Sequence, residues 1–197
     1  MERERSLTIY KSADLMIWVV MLGVFETLIG KAGSSWFQNQ PYILSLVPAL
    51  SVIIYMRWSL WGVMYAAIGG LFTSLALSAG WKQMIIYIIG NMLSLVVFPV
   101  MKALGKEKVR TSFFLSALCA VLTALSMQTG RGLVSLCMGS GLEGVVDFIT
   151  TDALSGVFAV IITSIVRHRD GVFEDQMTYL VRLKREEEEK KNEGHSF

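Results

Sequence analysis

The sequence predicts an all-α membrane protein: a six-transmembrane-helix bundle with cytoplasmic N and C termini and a C-terminal cytoplasmic amphipathic helix. Three observations lead there. Of 197 residues, 53% are hydrophobic and only 17% charged, with a mean hydropathy of +0.53, where a soluble domain carries about 25% charged residues. The charges collect in short joints and at the two ends, leaving apolar runs near the roughly 20 residues that a membrane-crossing helix needs. The basic residues also divide unevenly between the two sides that those runs define. One membrane domain at 13–168 is expected, between a cytoplasmic lead at 1–12 and an amphipathic, charged tail at 169–197.

The lead carries Arg3, Arg5 and Lys11. A first span follows at 14–30. It lacks a small-residue cleavage site, so it is expected to be a retained helix and not a signal peptide. The connection at 31–41 is polar and aromatic. A second span covers 42–57, with Pro48 in its outer third, where a kink is tolerable if neighbours satisfy the freed carbonyl. Only Arg57-Trp58-Ser59 separates it from the third span at 60–79. A cation and a tryptophan between two hydrophobic runs mark a membrane–water interface, so this joint reads as the tight cytoplasmic turn of a helical hairpin. After Gly80-Trp81 a fourth span covers 82–104, and a basic joint at 105–110 precedes a fifth at 111–127. A glycine-rich stretch at 129–144 leads into the sixth span, which reaches Val166. With both termini cytoplasmic, that side holds 15 of the 18 Lys and Arg residues, and only Lys31, Lys82 and Arg131 lie opposite.

Several function classes are disfavoured. No phosphate-binding GxxxxGK[ST] loop is present, nor HExxH, GxSxG or CxxC, and His168 and His195 both fall in the tail. Cys119 and Cys137 lie in or beside apolar segments without metal or redox spacing and read as small hydrophobes. No enzymatic activity, cofactor, metal or nucleic-acid partner is therefore expected.

Polarity concentrates on the outer side. Trp36, Gln38 and Asn39 lie in the first outer loop, and Trp81 in the second. Gln128, Arg131, Glu143, Asp147 and Asp152 flank or occupy the third. Tyr87 and Asn91, four apart, share a helix face. Rings, amides and a few charges suit the capping of a small polar-aromatic solute; Trp36, Tyr42 and Trp81 equally suit an interfacial aromatic belt. An amide at Asn91 in hydrocarbon needs partners, which a helix–helix hydrogen bond also supplies. Glu143 and Asp147 form an acidic stripe near the membrane, either paired with Arg131 to close the third loop or touching ligand. Glu26, one turn from the outer end of the first span, would cost a few kcal/mol at mid-bilayer and either snorkels or faces the same cavity. Gly62, Ala66 and Gly70 recur every four residues on one face of the third span. In lipid such a row permits close approach, of an internal neighbour or of another membrane subunit. In the tail, Val172, Phe173, Gln176, Tyr179, Leu180 and Leu183 form a semi-apolar helical face fit for the membrane surface or a partner.

Six spans in under 200 residues, cytoplasmic ends, and the run LVPALSVIIYMRWSLWGVMYAAIGG followed by YIIGN resemble the substrate-binding S components of energy-coupling factor (ECF-type) ABC transporters over about 14–166. The resemblance implies a substrate-capture subunit of a micronutrient importer in the lipid bilayer. It would bind a small-molecule substrate at its outer face and dock on a scaffold transmembrane subunit energised by two ATPase subunits. S components often carry an alanine-xxx-alanine docking motif in the first helix; here Gly23 and Thr27 stand instead, with Glu26 beside them, so either they dock or the Gly62-Ala66-Gly70 row shares the task. The expected cavity has Trp36, Trp81 and Tyr87 stacking on a ring. Gln38, Asn39, Asn91 and Gln128 hydrogen-bond, and Arg131 meets an anionic group. Replacing Asn91 or Arg131 by Ala is expected to weaken binding without unfolding. A different class, a non-transporting scaffold subunit of a cell-envelope or cell-shape complex, has similar size, and a self-sufficient small transporter is the third reading.

Overall fold

A computed structural model describes residues 2–36 and 43–194. Among them every element is helical: α1 (Glu2–Trp36), α2 (Val47–Trp58), α3 (Trp61–Ala76), α4 (Trp81–Asn91), a 3₁₀ stretch (Met92–Val96), α5 (Val97–Leu104), α6 (Lys106–Thr111), α7 (Phe113–Cys137), α8 (Leu142–Thr151), α9 (Ala153–Val166) and α10 (Gln176–Gly194). Four stretches are long and apolar enough to cross a membrane: Leu7–Gly33, Trp81–Leu104, Phe113–Cys137 and Leu142–Val166. The shortest has 24 residues, about 36 Å of helix against a hydrocarbon thickness of about 30 Å. The apolar helices α2 and α3 are shorter, with 12 and 16 residues.

The short helix α2 is the centre of the bundle. All of its residues are buried, and α3, α7 and α9 pack around it. A helix apolar on every side has no face to give to lipid or water, so it sits inside. By contrast α1 lies at the edge, where Met16, Ile17, Val20 and Val24 expose an apolar face. Pro48 sits in the first turn of α2, where its missing N–H costs no hydrogen bond. The irregular turn lies in the stretch Trp81–Leu104. Pro99 cannot donate to Leu95 and its ring crowds that carbonyl, and the preceding turn tightens to 3₁₀ over Met92–Val96.

Two other boundaries differ from the sequence reading. The stretch expected to be a glycine-rich connection is helical through Cys137, because Gly130 and Gly132 give α4 and α8 close approach to α7. The stretch expected as the sixth span is two helices, broken at Asp152. There the Gln128 amide donates to the Asp152 carbonyl (2.9 Å), and the Ser155 N–H reaches that same oxygen at three-residue spacing (3.1 Å).

The Arg57-Trp58-Ser59 joint is a tight turn, with Ser59 at a positive φ of 55°. Arg57 pairs with Asp14 of α1, Trp58 Nε1 donates to the same carboxylate (2.6 Å), and Arg57 Nη1 donates to the carbonyls of Gly171 and Val172. Lys106 reaches Met56 O, Ser59 and Asp175. Val172 and Phe173 therefore precede α10 and do not lie on it. Phe173 inserts into the core and Gln176 is buried, so the expected amphipathic face loses part of its apolar side to this end of the bundle.

Candidate functional site

The cluster that stands out is ionic and buried, and it joins α3, α4, α7 and the break between α8 and α9. Arg131 on α7 is 1% exposed. Its Nη1 donates to Asp152 Oδ2 (2.7 Å), its Nε donates to Asn91 Oδ1 (2.8 Å), and its guanidinium lies over the Tyr87 ring, 4.7 Å from the centroid. Asn91 turns its amide nitrogen to the Ala66 carbonyl of α3 (3.1 Å). Asp152 accepts from the Ser155 hydroxyl through its other oxygen. Ser155 in turn accepts from the Ser45 N–H (2.9 Å), which ties the segment entering α2 to the same group. Tyr87 meets Phe148 edge-on, with ring centroids 5.9 Å apart.

Backbone contact makes this assembly possible. A β-carbon on Gly130 would stand 2.1 Å from the Gly90 carbonyl oxygen, and one on Gly90 would stand 2.5 Å from the Arg131 nitrogen. Glycine at both positions lets α4 and α7 cross with their backbones touching. Asn91 and Arg131, each next to one of these glycines, then lie within side-chain reach. Gly70 serves the α3–α4 crossing in the same way, with Tyr87 O at 2.4 Å.

A second buried acid lies on α1. Glu26 accepts from the Leu46 N–H (2.9 Å) and from the Thr73 hydroxyl (2.7 Å), joining α1, α3 and the start of α2. It neither snorkels nor finds a cation among the described residues. Charged groups within a span cost a few kcal/mol unless paired or hydrogen-bonded, and here they are bonded on several sides.

Tyr87, Asn91, Gln128 and Arg131 come together as the sequence reading has them. Trp81 does not join them: it is 66% exposed, with Lys82 over its ring. Glu143 and Asp147 are exposed on α8, which buries none of its side chains, and Arg131 pairs with Asp152 in place of either. The reason is the helix break: it turns Asp152 inward while the 143–147 face remains outside. Gln38, Asn39 and the side chain of Trp36 fall outside the described residues. The Gly62-Ala66-Gly70 row faces inward, against Tyr55 at Gly62 and against α4 at Gly70, with Ala66 fully buried. It is used by the chain's own packing and presents no outward face. Gly23 packs on Phe72, and Thr27 bonds back to the Gly23 carbonyl. Ser155 and Ser45 are not among the expected site residues, and Asp152 is expected only as one of the outer-side charges. Of the three acids in the apolar run 142–166, Asp152 is the deepest in sequence, and that position is the signal that marks it.

Replacing Asn91 by Ala leaves an Arg131 N–H without its partner and removes the side-chain tie to the Ala66 carbonyl. An expected loss of about 1–3 kcal/mol follows, measured as a lower midpoint of unfolding in detergent micelles.

Fold and cluster together define an all-helical protein with membrane-length apolar helices and a buried arginine–carboxylate network between them. Comparison with protein-family models, with curated proteins and with solved structures gives no match.

Proposed function

We propose that this chain is the substrate-capture subunit of a micronutrient importer: six membrane spans, both termini cytoplasmic, and a small solute bound in the outer half. The observation that carries the reading is the Tyr87–Asn91–Gln128–Arg131–Asp152 cluster. Polar and ionisable groups inside membrane spans are costly and face a bundle interior or solute path, and transporter sites gather near the bilayer midplane. The Tyr87 hydroxyl is buried, with Gln83 one turn earlier beside it. The 15-to-3 division of basic residues supports the orientation. The resemblance supplies the partners, a scaffold transmembrane subunit with two ATPases, since the chain has no phosphate loop of its own.

One observation favours a second reading. Arg131 is matched by Asp152 within the chain, so the cluster also serves as an internal crosslink of a scaffold subunit in a cell-envelope or cell-shape complex.

The test is gentle extraction of the tagged chain from its native membrane, with mass spectrometry of proteins and small molecules. A membrane subunit with two ATPases, and a small metabolite, is the expected recovery. Envelope-synthesis or cytoskeletal proteins without a metabolite would replace the importer reading by the scaffold one.

A further inference from the structure

On the lipid side of the bundle, α7 and the broken pair α8–α9 leave a groove of about 450 Å³. Val121, Leu125, Gln128, Gly156, Val157 and Ile161 line it, and only Gln128 among them is polar. Both walls belong to membrane-length stretches, so the groove opens to hydrocarbon. A void of this size left unfilled would forfeit packing along its whole lining.

At one end of the same α7–α9 pair, where α9 ends and α7 begins and beyond the residues that line the groove, stands Arg167. Its Nη1 donates to the Thr111 carbonyl (2.9 Å) and its guanidinium lies 5.6 Å from the Phe113 ring centroid. Its Nε is buried and has no hydrogen-bond partner. The neighbouring acids are engaged elsewhere: Asp170 pairs with Arg110, and Glu174 with Arg110 and Arg182. Among the described residues Arg167 thus makes no ion pair, and Phe114 on α7 and Ile165 on α9 are exposed apolar side chains.

We propose that this crevice seats one anionic phospholipid, its phosphate on Arg167 and one acyl chain running between α7 and α9 into the groove. The spacing fits. Ile161 lies six residues before Arg167, about 9 Å along the helix, and one leaflet of hydrocarbon is about 15 Å deep. A chain whose headgroup rests at Arg167 therefore passes Ile161 and reaches Val157. Basic pockets between membrane helices recognise anionic headgroups through the same chemistry. Gln128, which lines the groove and also holds the Asp152 carbonyl, links the occupied crevice to the buried cluster.

The test is native mass spectrometry of the full-length chain in mild detergent, titrated with phosphatidylglycerol and with phosphatidylcholine of identical acyl chains. The wild-type chain should retain one phosphatidylglycerol, preferred about fivefold over phosphatidylcholine, the factor for one basic residue near the headgroup. Arg167→Gln should bring the two lipids to parity. Gly156→Leu should lower retention of both, because a β-carbon there has room (Ala124 Cβ at 3.6 Å) and a longer side chain fills the groove. Val157→Trp, at an exposed position, closes the groove from the lipid side if Gly156→Leu does not fold. Equal retention of the two lipids by the wild type, or variants that bind as it does, would overturn the proposal.

Discussion

Asp152→Asn is expected to lower stability by about 3–5 kcal/mol, the cost of leaving one member of a buried ion pair without its partner. The carboxylate is the only anion that touches Arg131 among the described residues, at 2.7 Å, and both side chains are shut off from solvent. Asparagine keeps the shape and can still accept a hydrogen bond, but it leaves a guanidinium charge uncompensated between membrane-length helices. Arg131→Ala should cost a similar amount by stranding the carboxylate. That reverses the sequence-based expectation, in which losing Arg131 weakens binding without unfolding. The double replacement Arg131→Met with Asp152→Leu removes both charges, and well-packed apolar substitutes for a buried pair are often neutral or stabilising. The check is reversible denaturation in micelles for the two single variants and the double. A double variant no better than the worse single one would show that the pair is not the dominant coupling.

The second large effect belongs to a glycine. Gly130→Ala is expected to force α4 and α7 apart, since the added carbon would fall 2.1 Å from the Gly90 carbonyl oxygen. Overpacking typically costs about 1–3 kcal/mol. This site should lie at the top of that range or above it, because the obstacle is backbone and no side chain can rotate away. The same shift would lengthen the 2.8 Å Arg131–Asn91 hydrogen bond, so the cluster loosens with the crossing. Gly156→Ala is the control: its β-carbon meets Ala124 at an ordinary 3.6 Å, and removing a helix-interior glycine gains up to about 1 kcal/mol. Thermal unfolding of the three proteins side by side, followed by far-UV circular dichroism, gives the comparison. Equal midpoints for Gly130→Ala and Gly156→Ala would contradict the backbone contact.

Much of the site was legible because apolar spans make polar residues conspicuous. Tyr87 and Asn91 share a face by helical spacing alone, and an amide at Asn91 in hydrocarbon needs a partner. Gln128 and Arg131 read as flanking the third outer loop, and it is the continuation of α7 through Cys137 that puts them inside the bundle. Trp81, Glu143 and Asp147 were drawn into the expected site because they are polar or aromatic and near in sequence. Nearness along the chain does not say which way a helix faces. Likewise the 129–144 stretch reads as a loop from its glycines, since glycine serves turns and close helix contacts alike.

The sequence by itself determined that the chain is helical and apolar in membrane-length stretches, that its charge gathers at joints and ends, and that a few polar groups lie inside the apolar runs. Those properties follow from composition and periodicity, which are local. Tertiary structure alone decided the pairing. It turned Asp152 inward to Arg131, 21 residues away in the chain, spent the Gly62-Ala66-Gly70 row on internal contacts, and wrapped the bundle around the short, fully buried helix α2. The physical reason is that helix–helix crossings are set by where two backbones can touch. That depends on a pair of surfaces at once, and one sequence read from end to end shows each surface without its mate.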